Sequence, residues 1–266
     1  MQQYLEKSRE IRKEALKMIA AAASGHPGGS LSATDLLVAL YYRELSVDPN
    51  DPRNIDRDRF VLSKGHAAPA LYAILADKGY FPKEVLRTFR QLGSPLQGQP
   101  DRKKTLGVDA CAGSIGQGVS VAVGMALGAK RAGKTLKVYA MMGDGELQEG
   151  QVWEAAMSAA HYGLDNLTFI VDNNGIQLLG RNDEIMALGN IADKFRVFGF
   201  QTIEIDGHDF AQIFTAFDVA GLGRPKCIVA HTVKGKGVSF MENDAAWHGK
   251  APGAEQLQQA LAELDG

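Results

Sequence analysis

Gly143-Asp144-Gly145 and, about thirty residues later, Asp172-Asn173-Asn174-Gly175-Ile176 each follow an apolar, β-like run, at 138–142 and 167–171. Both clusters are therefore expected at the carboxyl ends of strands, the edge at which open α/β sheets bind ligands. Their residue types suit a magnesium–diphosphate cradle. Mg2+ is a small, hard cation, held as a rule by one or two protein oxygens together with phosphate oxygens. Asp144 offers a carboxylate and Asn174 a neutral amide oxygen, which leaves the cation positive enough to attract a diphosphate. Gly143 and Gly145 let the backbone come close to a ligand. Either motif alone reads as a turn, because Gly, Asn and Asp dominate turns. Two of them in order, after two strands and with a helical segment between, point to a site.

Three of the six histidines lie in loop motifs: His26 in Ser-Gly-His-Pro-Gly-Gly, His66 in Ser-Lys-Gly-His-Ala and His248 in Ala-Trp-His-Gly-Lys. Imidazoles beside a diphosphate cradle suit the handling of hydroxyl protons near neutral pH. His161, in a helical segment, and His231, at a strand end, read as structural.

The elements that must position these groups follow from periodicity. Apolar residues at helical spacing predict a helix over 3–23, ended by the Gly- and Pro-rich stretch 24–30, and a second over 32–43. The polar segment 47–59 reads as a surface loop, 60–63 as a short strand and 68–78 as a helix. Residues 93–118 form a long glycine-punctuated connection, a kind of loop that is usually functional or disordered. It ends in Gly113-Ser114-Ile115-Gly116-Gln117-Gly118, which opens an Ala- and Gly-rich helix through 133, and such a helix start can receive an anion. Further helices are expected at 151–162, 191–198 and 254–264, and strands at 201–205 and 226–230. This alternation predicts an α/β fold, a doubly wound and mostly parallel sheet flanked by helices, as one domain over 1–266. Neither glycine cluster has a dinucleotide or P-loop spacing, so nicotinamide chemistry is not supported.

Composition narrows the classes. A net charge of −2 gives no reason to expect nucleic acid or an anionic membrane. No apolar run is long enough to span a bilayer, and the amino terminus has no apolar signal core, so a cytoplasmic protein is expected. The two cysteines, Cys111 and Cys227, are far apart and without metal spacing, and read as inert thiols in a reducing compartment.

As an ordered set, Ser-Gly-His-Pro-Gly-Gly-Ser, Leu-Ser-Lys-Gly-His, Gly-Ser-Ile-Gly-Gln-Gly, Gly-Asp-Gly-Glu-Leu-Gln-Glu-Gly, Asp-Asn-Asn-Gly-Ile and Ala-Trp-His-Gly-Lys are highly specific. Over nearly its whole length the chain resembles the N-terminal, diphosphate-binding half of transketolase, and is similar to the small subunit of the split, two-gene forms. The resemblance implies a thiamine diphosphate enzyme that moves a two-carbon ketol unit from a ketose phosphate to an aldose phosphate. It implies that Asp144, Asn174 and the Ile176 carbonyl bind Mg2+ or another divalent cation such as Ca2+ or Mn2+. Gly145 and His66 would approach the diphosphate, Gly113 and Ile115 would flank the cofactor, and His26 and His248 would line the reaction centre. Glu149 and Glu154 match the family's acidic residues that reach a subunit interface. One departure stands out: Gly98-Gln99-Pro100 replaces a customary Gly-His-Pro, whose histidine touches the substrate. Gln99 can donate and accept hydrogen bonds but cannot carry the imidazolium charge, so altered substrate choice is expected.

The family's pyrimidine-activating glutamate and sugar-phosphate arginines belong to a second domain that this sequence does not contain. The expectation is a heteromer, α2β2, with a C-terminal transketolase subunit carrying the pyrimidine-binding domain, and no activity from this chain alone. Three other readings compete: the α-subunit of a 2-oxo-acid dehydrogenase, which lacks the paired Gly-His loops; a fragment of a 1-deoxyxylulose phosphate synthase; and a non-catalytic cofactor-binding subunit.

Overall fold

A computed structural model describes residues 1–266. Five parallel strands, β1 (Arg59–Leu62), β2 (Val138–Gly143), β3 (Leu167–Asn173), β4 (Gln201–Asp206) and β5 (Lys226–His231), form one sheet in the order β1-β2-β3-β5-β4. The helices are α1 (Gln2–Ala21), α2 (Pro27–Ala39), α3 (Ala68–Asp77), α4 (Gln117–Arg131), α5 (Gly150–His161), α6 (Asn182–Ile185), α7 (Ile191–Val197), α8 (Phe210–Asp218) and α9 (Ala254–Asp265).

Strands β1, β2, β3 and β5 are apolar on both faces, as a parallel sheet covered on both sides requires, whereas the edge strand β4 is apolar on one face only. Phe60, Leu62, Tyr139, Met141, Ile170 and Ile228 face a core shared with α2, α3 and α8. Val61, Val138, Ala140, Met142, Phe169 and Val229 face the opposite core, built with α4, α5 and α7. Alternation along each strand thus divides the side chains between two layers, which is the expected doubly wound arrangement. Cys227 is one of these core residues, and burial pushes its thiol well above the ordinary range. Cys111 is exposed, with Sγ 3.5 Å from Asp101.

Three differences from the expected elements have physical causes. The second helix starts at Pro27, not at Ser32, so Pro27-Gly28-Gly29 is its first turn. Proline has its φ preset for the first helical position, and α2 is buried throughout, so packing outweighs the poor propensity of its glycines. The helix then widens into a π-helical turn at Leu40–Glu44. Between β4 and β5 the sequence reading placed no helix, yet α8 forms there. Asp209 caps it, its carboxylate accepting the Ala211 N–H at 2.8 Å, and Phe210, Ile213, Ala216 and Phe217 form its buried stripe.

No helix is long and apolar enough to cross a membrane. Phe169, fully buried on β3, stacks on Phe200 at 5.2 Å and meets Phe195 edge-on at 6.3 Å. Phe169→Ala is expected to destabilise the chain by about 3–5 kcal/mol, read from the midpoint of urea unfolding.

Candidate active site at the carboxyl edge of the sheet

Asp144 follows β2 and is buried, its two oxygens held by backbone: the Gly145 N–H donates at 2.7 Å and the Gly175 N–H at 2.5 Å. One carboxylate thus ties together the two turns singled out in the sequence. Burial raises its pKa, against the pull of the Gly175 N–H. Asn174 Oδ1 accepts the Ile176 N–H at 3.1 Å, and its amide faces Ser32 Oγ at 3.4 Å. The Ile176 carbonyl accepts from Lys234 Nζ at 2.9 Å, which leaves its second lone pair free. Asp144, Asn174 and Ile176 therefore sit in one turn-to-turn contact, with oxygens available to a hard cation.

Two buried lysines face this turn. Lys64, from the segment after β1, is bonded to the Asp172 carboxylate and to the Gly29 carbonyl at 3.1 Å. Asp172 also accepts from Ser32 Oγ at 2.6 Å and from Thr232 Oγ1. Burial pushes the Asp172 carboxyl upward, but Lys64 and these hydrogen bonds outweigh it and hold it below the usual range. Lys234 is different. Its ammonium touches only the Ile176 carbonyl and His248 Nδ1, at 3.0 Å, and has no carboxylate partner. Burial, with Lys64 nearby, lowers its pKa to about 8. Asp144 and Asp172 attract the ammonium only through space and offset the lowering in part. A buried cation with no carboxylate in contact is costly, and an incoming diphosphate would supply that contact. The donor set fits such a group: a single carboxylate, two neutral oxygens and an unmatched cation.

The segment carrying Lys234 is held by His208. The Val233 N–H donates to His208 Nε2 at 2.9 Å, so the ring proton sits on Nδ1, which donates to Asp35 at 2.6 Å. Arg12 completes the cluster, donating to the same Asp35 oxygen at 2.7 Å.

His26, His66 and His248 come together as the sequence motifs anticipate. Their ring centroids are 5.5 Å (His26–His66), 5.5 Å (His26–His248) and 5.3 Å (His66–His248) apart. His66 lies in a 3-10 turn and His26 caps α2. Gly29 makes this packing possible, since a Cβ there would come within 2.9 Å of His66 Nε2. Burial, aided by the Arg90 and Lys234 cations, lowers His26 to about 4. Burial and Lys234 lower His248 to about 3, and burial with Lys64 holds His66 well below the ordinary range. All three are neutral at pH 7, and because Nδ1 of His248 accepts from Lys234 and Nδ1 of His26 faces Arg90, those two rings present Nε2–H as a donor to a substrate hydroxyl.

Gln99 lies against Gly65, the residue before His66, where a Cβ would meet its Oε1 at 2.5 Å, and that oxygen is buried without a hydrogen-bond partner. Gly113 and exposed Ile115 lie on the loop before α4. Glu149, at the start of α5, and Glu154 are exposed and carry no ion pair. His161 packs on Tyr162, and His231 sits beside Asn173 and Glu204, away from the histidine cluster. Sequence reasoning missed Lys64, Asp172, Lys234 and also Arg90, whose guanidinium reaches Ser24 Oγ at 2.7 Å and His26 Nδ1 at 3.5 Å. The signal for the first two was a charged residue within two positions of the apolar run of a strand, β1 for Lys64 and β3 for Asp172.

Residues 5–265 match the family described as "Transketolase, thiamine diphosphate binding domain". The chain belongs to the transketolase thiamine diphosphate-binding family. A 6-deoxy-6-sulfo-D-fructose transketolase subunit of Clostridium sp. (strain MSTE9) is 45% identical over 257 residues, covering 96% of this chain and 94% of the relative. One of the subunits of the apulose-4-phosphate transketolase of Phocaeicola vulgatus is 41% identical over 260 residues, covering 97% and 92%. The crystal structure of transketolase from Campylobacter jejuni superposes with a TM-score of 0.94 at 35% identity; it covers all of this chain, which spans 43% of the Campylobacter chain. The relatives of matching length are thus transketolase subunits, in line with the motifs, and the 2-oxo-acid dehydrogenase reading is not favoured.

His26 and His248 have folded pKa values of about 4 and about 3, below their ordinary 6.5, so the unfolded chain takes up protons first as the pH falls. Stability of the cofactor-free transketolase subunit is therefore complete above about pH 6.5 and declines as the pH falls toward 4. Urea unfolding across that window should show the decline, and His26→Asn should flatten part of it.

Proposed function

We propose that this chain is the cofactor-holding half of a two-subunit transketolase that moves a two-carbon ketol unit from a ketose phosphate to an aldose phosphate. Asp144, Asn174 and the Ile176 carbonyl hold Mg2+, or Ca2+ or Mn2+ in its place. Lys234, Gly145 and His66 receive the diphosphate, and Gly113 and Ile115 flank the bound cofactor. When bound, thiamine diphosphate supplies a thiazolium carbon able to act as a carbanion toward a ketose carbonyl. The chain's own residues orient and protect that reaction. Neutral His26 and His248 exchange protons with substrate hydroxyls, and the buried setting keeps water from the reacting carbon.

The observation that carries this reading is Lys234, a buried ammonium without a carboxylate partner, one residue's reach from both the metal turn and the histidines. Support for a partner lies on α4 and α5. Val121, Gly124 and Gly128 on α4 and Glu154, Met157 and His161 on α5 are exposed. Val121, Gly124, Gly128 and Met157 make this face small and apolar, Glu154 and His161 add polar groups, and Glu149 beside them packs on Gly116 of the cofactor loop. That face fits a C-terminal transketolase subunit with the pyrimidine-binding domain, in an α2β2 assembly located in the cytoplasm.

Gln99 bears on the sugar. Its side chain can exchange hydrogen bonds with a substrate hydroxyl but carries no charge at any pH, unlike an imidazole. Relatives of this chain are named for two unlike ketoses, one a sulfonate and one a phosphate, so donor choice within the family is wide.

Reconstitution tests the reading. This chain mixed with its copurifying pyrimidine-domain subunit, thiamine diphosphate and Mg2+ is expected to transfer ketol units, and each of the two by itself is expected to be inactive. Robust transfer by this chain alone would contradict the partner requirement. Asp144→Ala should reduce activity to background and weaken cofactor binding by roughly 100-fold, the upper range for groups that orient a metal, as read by calorimetry. Gln99→His should redistribute activity among ketose donors at little change in cofactor affinity; an unchanged donor profile would remove Gln99 from specificity.

A further inference from the structure

Glu146 is a buried carboxylate at the same edge that touches none of the groups assigned above to metal, cofactor or substrate. It accepts hydrogen bonds from two distant segments and from the start of its own turn. Ser63 Oγ donates from the stretch after β1, the Gly116 N–H donates at 2.8 Å from the left-handed turn that opens α4, and the Gly143 N–H donates at 3.2 Å from the end of β2. Each segment presents cradle groups within three residues of its anchor: Lys64 and His66, then Gly113 and Ile115, then Asp144 and Gly145. Residues 113–116 make no other hydrogen bond to a distant segment, so Glu146 is their tie to the sheet.

We propose that Glu146 is a positioning residue that fixes these three loops relative to one another, so that the faces for the diphosphate, the metal and the thiazolium ring are assembled before the cofactor arrives. The inference rests on the functional reading above. Its physical basis is that a carboxylate can accept from several donors at once, which neither an amide nor an aliphatic side chain of that size can match. Loss of the carboxylate leaves the Gly116 and Gly143 N–H groups without their acceptor and frees the cofactor loop to move. Binding must then order that loop at the expense of affinity. Glutamine keeps one acceptor oxygen but turns an N–H toward a donor, so it repairs the junction only in part.

The test uses this chain assembled with its pyrimidine-domain partner, as wild type, Glu146→Ala and Glu146→Gln, at a temperature where circular dichroism shows all three folded. Calorimetric titration with thiamine diphosphate in excess Mg2+ should give a Kd weakened by roughly 10–100-fold in the alanine variant and by less in the glutamine variant. The rate at saturating cofactor should be retained. Amide hydrogen exchange should show Gly116 and Gly143 losing protection together, while the interiors of β2 and β3 keep theirs. A purely structural role predicts a lower melting temperature with wild-type cofactor affinity, and that result would overturn the inference. Exchange that rises at Gly143 alone would overturn it as well. If the wild-type assembly binds no thiamine diphosphate, the functional reading fails by itself, and the exchange data still decide whether Glu146 couples the loops. Should the alanine variant not fold, the glutamine variant carries both readouts.

Discussion

Buried charge at the carboxyl edge of the sheet is the constraint around which this molecule is organised. Asp144, Glu146, Asp172, Lys64 and Lys234 are all buried within a few residues of the ends of β1, β2, β3 and β5. Each charge removed from water requires a partner or a set of hydrogen bonds. Asp172 has Lys64, Glu146 has three donors and Asp144 has two backbone N–H groups. Lys234 has only a carbonyl and an imidazole. The imbalance is the kind that a ligand anion removes, and it lies beside the one turn whose oxygens suit a hard cation.

The two-layer core makes this concentration of charge possible. Parallel strands bring their carboxyl ends to one side, and the cores on either face fix the register of those ends to within a residue. Hydrogen bonds then extend order from the strands into the loops. His208 carries it from Asp35 on α2 to Val233, next to Lys234, and Glu146 carries it from β2 to the loops after β1 and before α4. Histidines packed among buried lysines stay neutral, which suits work on uncharged hydroxyls. Exposed Glu149 and Glu154 have no charged partner in this chain.

Much of this was legible in the sequence because it rests on local chemistry. Gly143-Asp144-Gly145 and Asn174-Gly175-Ile176 announce turns after strands, and the family resemblance already points to His26 and His248 at the reaction centre and His66 at the diphosphate. The strand periodicity likewise places β2, β3 and β5 within a residue or two. What escaped was set by tertiary contacts. The start of α2 at Pro27 depends on complete burial of a glycine-rich turn, which no local propensity reports. Lys234 and Glu146 carry no local mark of burial, which the packing of distant loops imposes. Arg90 reaches His26 from a segment sixty-odd residues away, and periodicity carries no trace of that contact. The missed helix α8 differs, since its Asp209 cap and apolar stripe are local features that the sequence does display.

The measurement that tests the account most directly compares the affinity of thiamine diphosphate with that of unphosphorylated thiamine, by calorimetry on the assembled enzyme with Mg2+, in wild type and in Lys234→Met. The account predicts a strong preference for the diphosphate in wild type that largely collapses in the variant, with thiamine itself bound about equally by both. A variant that keeps the wild-type preference would contradict the claim that an unmatched buried ammonium recruits the cofactor.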